Sequence, residues 1–501
     1  MKDKILFWLD AVLTYFCLAY FMQQKVDSDF FAIIDVFEKP KIFFQNQKLI
    51  KFQKTWYYHD YFQNINSPNL EYLSNFERKY DINLWQLVIN ERIFYRFNRI
   101  HKFSSNEILS ILEQECRLFE KILDEINPEF LITHEPALHH QELLYQICKK
   151  IGVKTLVATP PNMGRLIISQ EPRKLDIAIN LNEITSSNRT FKELQEYRKS
   201  FSTSQIVKNY THKFKTSKLE LLKSTIEFLS SENQNIKTHY THRGRTKFRI
   251  LKDEIKSSLK KKFRTSFINH NLETEMKIDE KFVYFPLSVD EERNLLIAAP
   301  FYTNQLEVIR HITKSLPPDY TLYIKENPAQ SIRYWRSISE YRDIMNIPNV
   351  RLFHPSFPAE NLLEKCSLVI TIGGSSGLDA AFYEKPSIVF SDLGYSVLPS
   401  VHKLNSIQDL PKVIRKSLEI KVNSIDLDRY LTFLHKNSFD FNLVDFENKY
   451  NEFFYHGGHL LSVDIPEFKM KEFLEKNESS LEKFTLEHIK KIQELKNQQK
   501  S

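Results

Sequence analysis

Glycine is scarce in this chain, nine among 501 residues, and cysteine scarcer still at four. Cys17, Cys116, Cys148 and Cys366 are scattered with no C-x-x-C pair, which excludes a disulfide framework and a zinc knuckle and fits a reducing cytoplasm. Neither G-x-G-x-x-G nor G-x-x-x-x-G-K-[ST] occurs, so neither hydride transfer nor ATP hydrolysis has its phosphate-binding fingerprint. A long apolar run without charge is also lacking. Ile5 to Met22 comes nearest to a membrane anchor, but Asp10 interrupts it. It reads better as a buried strand from Ile5 to Leu9 and a helix through Gln24, with a second strand from Phe30; an anchor is the lesser alternative. No internal repeat of 20 to 50 residues is present.

What glycine there is lies concentrated. Gly373, Gly374, Gly377 and Gly394 fall within 22 residues. Ser367 to Phe390 runs as an apolar strand, a Gly/Ser turn, a short helix and a second apolar strand. Glycine suits a close backbone approach, and the unpaired N–H groups that open a helix suit an anion. An ordinary turn capped by Ser375 or Ser376 carries the same signature. Gly373-Gly-Ser-Ser-Gly377 also fits a G-x-S-x-G nucleophile elbow, but a hydrolase needs its Asp and His after further strands, and those are weak here.

The apolar content of 42%, with 39 Phe and 23 Tyr, is ample for two or three cores. Short apolar runs at Ile5–Leu9, Phe30–Ile34, Phe130–Thr133 and Thr155–Ala158 alternate with helical stretches, which predicts a largely parallel sheet covered by helices. A second series follows at 282–287, 320–324, 350–353, 368–372 and 387–390, with helices near 304–315, 331–345, 358–366 and 375–384. The expected fold is α/β: two Rossmann-like doubly wound domains over 1–184 and 279–420, a helical basic insertion over 185–278, and a helical tail over 421–501 whose last part, from Ile465, is expected to fray.

The formal charge of +7 is carried by one segment, because His242 to Arg264 alone is net +8. Phe248, Leu251, Ile255, Leu259 and Phe263 recur there at helical spacing, so the segment is a basic amphipathic helix. It either packs on the core or docks to an anionic membrane surface or acidic glycan. No nucleic-acid module accompanies it.

Ligands of doubly wound sheets bind beyond the carboxyl ends of the strands. The Gly373 turn lies at such an end, and so does Lys325-Glu326-Asn327-Pro328. Together they suit a nucleotide phosphate and a ribose.

Several motifs in order, Tyr284-Phe-Pro-Leu287, Tyr302 to Leu306, Lys314 to Pro317, Tyr323 to Pro328, Ile372 to Gly377, Tyr383 to Pro386 and Leu404 to Lys412, resemble the bacterial capsule polysaccharide biosynthesis family, which includes Kdo transferases. The opening Ile5 to Asp10 and the stretch from His134 through Arg165 are similar to its N-terminal half. The resemblance implies a GT-B type glycosyltransferase that needs no metal. It would pass a sugar, Kdo among the candidates, from a nucleotide-sugar co-substrate to a glycan or lipid-linked acceptor. Lys325, Glu326, Asn327, Gly373, Gly374, Ser375, Ser376 and Gly377 would bind the donor. Asn327 departs from the family's His and carries neither charge nor a transferable proton.

Transfer requires a base for the acceptor hydroxyl and stabilisation of the leaving phosphate. Glu135, directly after the strand 130–133, is the first candidate base, and Asp10, by the same placement, the second. His134, Glu135, His139 and His140 suggest a metal set, but His134-Glu-Pro-Ala-Leu-His139 is one residue too long for H-E-x-x-H and contains Pro136, so no metal is expected. Asp426-Leu-Asp428 and His456-Gly-Gly-His459 read as a chance acidic triplet and a turn. The expected location is cytoplasmic, peripheral on the inner face of the membrane through 242–264. The rivals are a sugar-nucleotide epimerase on the same scaffold and a non-catalytic assembly or export protein.

Overall fold

A computed structural model describes residues 2–36, 38–62, 66–161, 164–200, 225–226, 229–230, 239–277, 280–454 and 463–498. The His456–His459 pair therefore lies outside the described residues. Two sheets form the frame. The first has strands β1 (Asp3–Asp10), β2 (Ser28–Asp35), β3 (Lys54–Tyr57), β4 (Phe130–His134), β5 (Lys154–Thr159), β6 (Arg165–Ser169) and β13 (Phe439–Asp440), in the order β13-β6-β5-β4-β1-β2-β3. The second has β7 (Phe282–Pro286), β8 (Thr321–Lys325), β9 (Val350–Phe353), β10 (Leu368–Thr371), β11 (Ser387–Val389) and β12 (Val401–Lys403), in the order β12-β11-β10-β7-β8-β9. The second is parallel throughout, and the first is parallel except at β5–β6 and β6–β13. The expected pair of doubly wound α/β units is present.

Central strands covered on both faces must be apolar at every position. In β1, Ile5, Phe7 and Leu9 enter one core, and Leu6 and Trp8 enter the core on the opposite face. That is why Ile5-Leu-Phe-Trp-Leu reads as a continuous run. No helix among the described residues is long and apolar enough to cross a membrane. The segment Ile5–Met22 is β1 followed by the buried helix Thr14–Gln23.

The strand order reverses once in each sheet. In the first, β1 leads to β2 and β3 on one side while β4 leads to β5 and β6 on the other. In the second, β7 leads to β8 and β9, and β10 to β11 and β12. Crevices open at such switch points, where adjacent loops diverge to opposite faces. Asp10 and His134 end the strands at the first switch point, and the Gly373 turn follows β10 at the second.

The tail departs from expectation. β13 pairs with β6, and the helices Leu443–Phe454, Glu467–Lys476 and Glu478–Gln498 join the core of the first domain through Phe446, Tyr450, Phe473, Leu474, Leu481 and Phe484. Its charged residues had suggested a fraying appendage. Leu481, Phe484, His488, Ile492 and Leu495 instead form one buried stripe at helical spacing.

The basic helix, Lys247–Asn271, packs on the second domain's core at its C-terminal end through Ile268 and Phe267, but over 247–263 it is turned the other way. Its polar side faces the protein: Ser257 accepts from Arg99 at 2.5 Å, Thr265 from the Trp335 indole at 3.0 Å, and Arg264 donates to the Trp335 carbonyl at 2.7 Å. The stripe Phe248, Ile255, Leu259 and Phe263 is 78%, 63%, 52% and 71% exposed.

Candidate functional site

The carboxyl edges of the two sheets meet in a cleft. Pro160, Pro161 and Arg173 line it from the first domain, and Gly373, Gly374 and Ser375 from the second, with Tyr395 and Tyr430 on its wall. Thr371 Oγ1 accepts from Gly374 N at 3.2 Å, and the Tyr395 hydroxyl donates to the Gly374 carbonyl. Ser375 is exposed and Ser376 half-buried at the opening of the helix Ser376–Phe382. Gly373 and Gly377 have packing reasons to lack a side chain. A Cβ at Gly373 would lie 2.7 Å from Ser391 Oγ, and one at Gly377 2.7 Å from Tyr395 Oη. Gly377 therefore allows Tyr395 to reach the turn; it is buried rather than presented to a ligand.

Lys325, Glu326 and Asn327 end β8, one strand away from the switch point, and do not line the cleft. Glu326 corrects the expectation of a group open to the crevice. It is wholly buried and accepts from Arg336 Nε at 2.9 Å, Tyr341 Oη at 2.7 Å and the Asn327 amide at 2.6 Å. Arg336 in turn reaches Asp290 at 2.5 Å. A charge without water needs such saturation. Asn327 caps the following turn through Ala329 N at 3.0 Å. Lys325 donates to the Pro355 carbonyl at 3.0 Å. Burial pulls its amine down to about 8, against the opposing carboxylates of Glu326 and Glu360.

Glu135 sits where the two domains touch. Its oxygens accept from Arg173 Nε at 2.7 Å and Arg173 Nη2 at 3.1 Å, and Arg293 Nη1 lies 3.0 Å from Oε1. Arg293 also donates to the Pro136 carbonyl at 2.7 Å, and Arg92 from the first domain to the Glu291 carbonyl at 2.6 Å. With both oxygens held by guanidinium groups, Glu135 is placed as a tie between the domains rather than as a free base.

Asp10 lies in a different setting. Its Oδ2 is 2.6 Å from His134 Nε2, and its Oδ1 accepts from Val12 N at 2.8 Å. His134 and Asp10 remain 17% and 14% exposed. Burial disfavours the charge on His134, but the Asp10 carboxylate outweighs it and lifts the imidazole to about 9. Glu447, on the helix Leu443–Phe454, joins them. Burial first, then the negative charge of Asp10, pushes its carboxyl up to about 7, with His134 opposing. A carboxyl group held near neutrality beside a histidine–carboxylate ion pair is an arrangement suited to acid–base work.

His134, Glu447, Arg173 and Arg293 were not expected from sequence as site residues. In the sequence His134 stands out only as a metal-ligand candidate, and Glu447 arrives from a segment more than 300 residues further along the chain. Asp428 of the acidic triplet is a structural acceptor, bonded to Ser186 Oγ and Ser187 N at 2.6 Å each and to Arg189.

Residues 185–398 match the family model described as capsule polysaccharide biosynthesis protein. That span is less than half of the chain. The matched segment takes in the basic helix, the Gly373 turn and the cleft wall at Tyr395; the motifs of the first 180 residues lie outside it. No curated protein matches the chain. Among solved structures, a UDP-GlcNAc 2-epimerase from Methanocaldococcus jannaschii in complex with UDP-GlcNAc and UDP aligns at 12% identity, covering 87% of this chain and all of that one, with a TM-score of 0.25. A β-Kdo 2,7 transferase from Thermosulfurimonas dismutans aligns at 9% identity over 66% and 81%, TM-score 0.28. An Anabaena protein in complex with UDP and glucose aligns at 11% over 90% and 99%, TM-score 0.25. Likeness at this level says nothing of activity.

Proposed function

We propose that the protein is a glycosyltransferase of capsule or surface polysaccharide synthesis, with a nucleotide-sugar bound against Gly373, Gly374 and Ser375 and the acceptor against the first domain. The observation that carries this reading is the cleft between the carboxyl edges of two doubly wound sheets, with the glycine turn at the second sheet's switch point on its wall, in a chain whose residues 185–398 match a capsule polysaccharide biosynthesis family model. The exposed backbone turn with Ser375 and Ser376 would receive the phosphates, with Arg173 opposite to balance their charge.

Transfer couples attack by the acceptor oxygen on the anomeric carbon to departure of the nucleotide phosphate, and the acceptor proton passes to a base. Asp10, His134 and Glu447 form the proposed proton-accepting cluster. Glu447, whose affinity for a proton is pushed close to neutrality, is well matched to take it. Asp10 and His134 hold each other as an ion pair beside it. The exposed stripe of Phe248, Ile255, Leu259 and Phe263, bordered by Lys252, Lys256, Lys260 and Lys262, would dock the enzyme peripherally to the anionic inner face of the membrane, near lipid-linked acceptors.

The test is nucleotide release from CMP-, UDP-, GDP- and TDP-sugars, with and without capsule-type oligosaccharide acceptors. Acceptor-dependent release supports transfer. Conversion of a UDP-sugar without an acceptor would assign the epimerase reading, and no turnover in any combination would leave the assembly-protein reading.

A further inference from the structure

A second cluster of ionisable groups lies in the first domain and takes no part in the proposed transfer. Helix Ser105–Ile126 brings Glu115, and the first two residues of helix His139–Lys150 bring His139 and His140. All three are buried, and each offers one donor atom within 4.8 Å of the other two. We propose that Glu115, His139 and His140 hold a divalent transition-metal ion, through His139 Nε2, His140 Nδ1 and the Glu115 carboxylate.

Three observations converge on this. First, the remaining nitrogen of each imidazole is already held by a carboxylate: His139 Nδ1 lies 3.1 Å from Glu91 Oε2, and His140 Nε2 lies 3.1 Å from Asp35 Oδ2. A carboxylate behind each histidine fixes its orientation and raises the basicity of the facing nitrogen, which is how ligating imidazoles are supported. Second, His140 Nδ1 and Glu115 Oε2 are buried without a hydrogen-bond partner. Unmatched polar atoms in a core are costly, and a cation that accepts both lone pairs removes the cost. Third, the site gathers carboxylates around its imidazoles, with His59 Nε2 also 2.8 Å from Asp35 Oδ1. Asp35, Glu91 and Glu115 converge here, and the Tyr58 and Tyr240 hydroxyls add donors to Glu115 Oε1 at 2.5 and 3.2 Å.

Two imidazoles and one carboxylate select zinc, cobalt, nickel or another first-row ion over magnesium or calcium, which prefer oxygen alone. Metal–nitrogen bonds of about 2.0–2.1 Å require the three side chains to close inward, and the ion displaces the proton shared by His139 Nε2 and Glu115 Oε1, 2.9 Å apart. Glu115 and His139 are almost wholly enclosed, at 0% and 2% exposure. The ion is therefore structural, pinning two helices to the end of β2. The H-E-x-x-H spacing that argued against a metal ran from His134 to His139; of those residues only His139 belongs to this set, and its partners here are His140 and Glu115.

The experiment is to load the full chain with cobalt(II), dialyse away excess, and record metal content and the visible spectrum of wild type, His140→Ala and a His456→Ala, His459→Ala double variant. The proposal predicts about one ion per chain with cobalt d–d bands of nitrogen/oxygen ligation, retained in the double variant and lost in His140→Ala. Metal content well below one per chain in wild type, or content and spectrum unchanged in His140→Ala, overturns it. Should His140→Ala fail to fold, X-ray absorption of the wild-type cobalt protein decides the matter. Two imidazoles in the first shell support the assignment, and one or none refutes it. The outcome is independent of whether the protein transfers sugars.

Discussion

Asp10 Oδ2 lies 2.6 Å from His134 Nε2, so the carboxyl ends of β1 and β4 are joined by an ion pair at the point where the first sheet reverses its strand order. His134 is lifted from its ordinary value to about 9, which means that the folded protein binds this proton more tightly than the unfolded chain. The pair's stabilisation is fully present below about pH 6.5 and is lost as the pH rises through about 9, amounting to no more than about 3 kcal/mol. Urea unfolding of wild type and His134→Gln between pH 6 and 10 should show the two stabilities converging at the alkaline end. A constant difference would contradict the assignment.

If Glu447 accepts the acceptor proton, kcat/KM should fall on acidification with a midpoint near pH 7, because a base must be deprotonated to act. Glu447→Gln should lower kcat by about 100-fold or more, with nucleotide affinity unchanged. A variant with near wild-type kcat would remove Glu447 from the chemistry.

Glu135→Gln is expected to act on the union of the domains. It leaves Arg173 and Arg293 facing a neutral amide and should cost about 1–3 kcal/mol in unfolding experiments. Its effect should extend to nucleotide affinity, since Arg173 lines the cleft. A selective loss of kcat with unchanged stability and affinity would return the base to Glu135.

Glu326→Gln tests the inward placement of that carboxylate. Removing one partner of the buried Glu326–Arg336 pair should destabilise the second domain by about 3–5 kcal/mol, measured by denaturant titration. A small loss of stability with a large loss of donor affinity would place Glu326 at the ligand after all.

Gly377→Ala should drive a methyl group against Tyr395 Oη, at 2.7 Å, and push the tyrosine from the Gly374 carbonyl. Overpacking of this kind costs about 1–3 kcal/mol, and nucleotide binding should weaken with it.

The two parallel sheets were legible because their central strands are apolar on both faces, so that 5–9, 130–133 and 282–287 stand out as runs. The short strands β3, β6, β12 and β13 at and near the sheet edges were not, since two to five residues carry little period. The glycine turn could be read because glycine is rare here and clustered. Glu326 could not be assigned from its neighbours: its side-chain direction depends on Arg336 and Tyr341, which follow a turn. Glu447 was beyond reach for a further reason, because only the return of the tail to the first sheet brings it beside Asp10.

The most direct measurement is a thermal-shift titration of the protein with CMP, UDP, GDP and TDP, repeated on a Ser375→Ala, Ser376→Ala double variant and on Arg173→Ala. A ligand bound only by the folded state raises Tm. The account predicts a rise with one nucleotide that is reduced in both variants. No rise with any nucleotide, or a rise untouched by both variants, would contradict a donor site in this cleft.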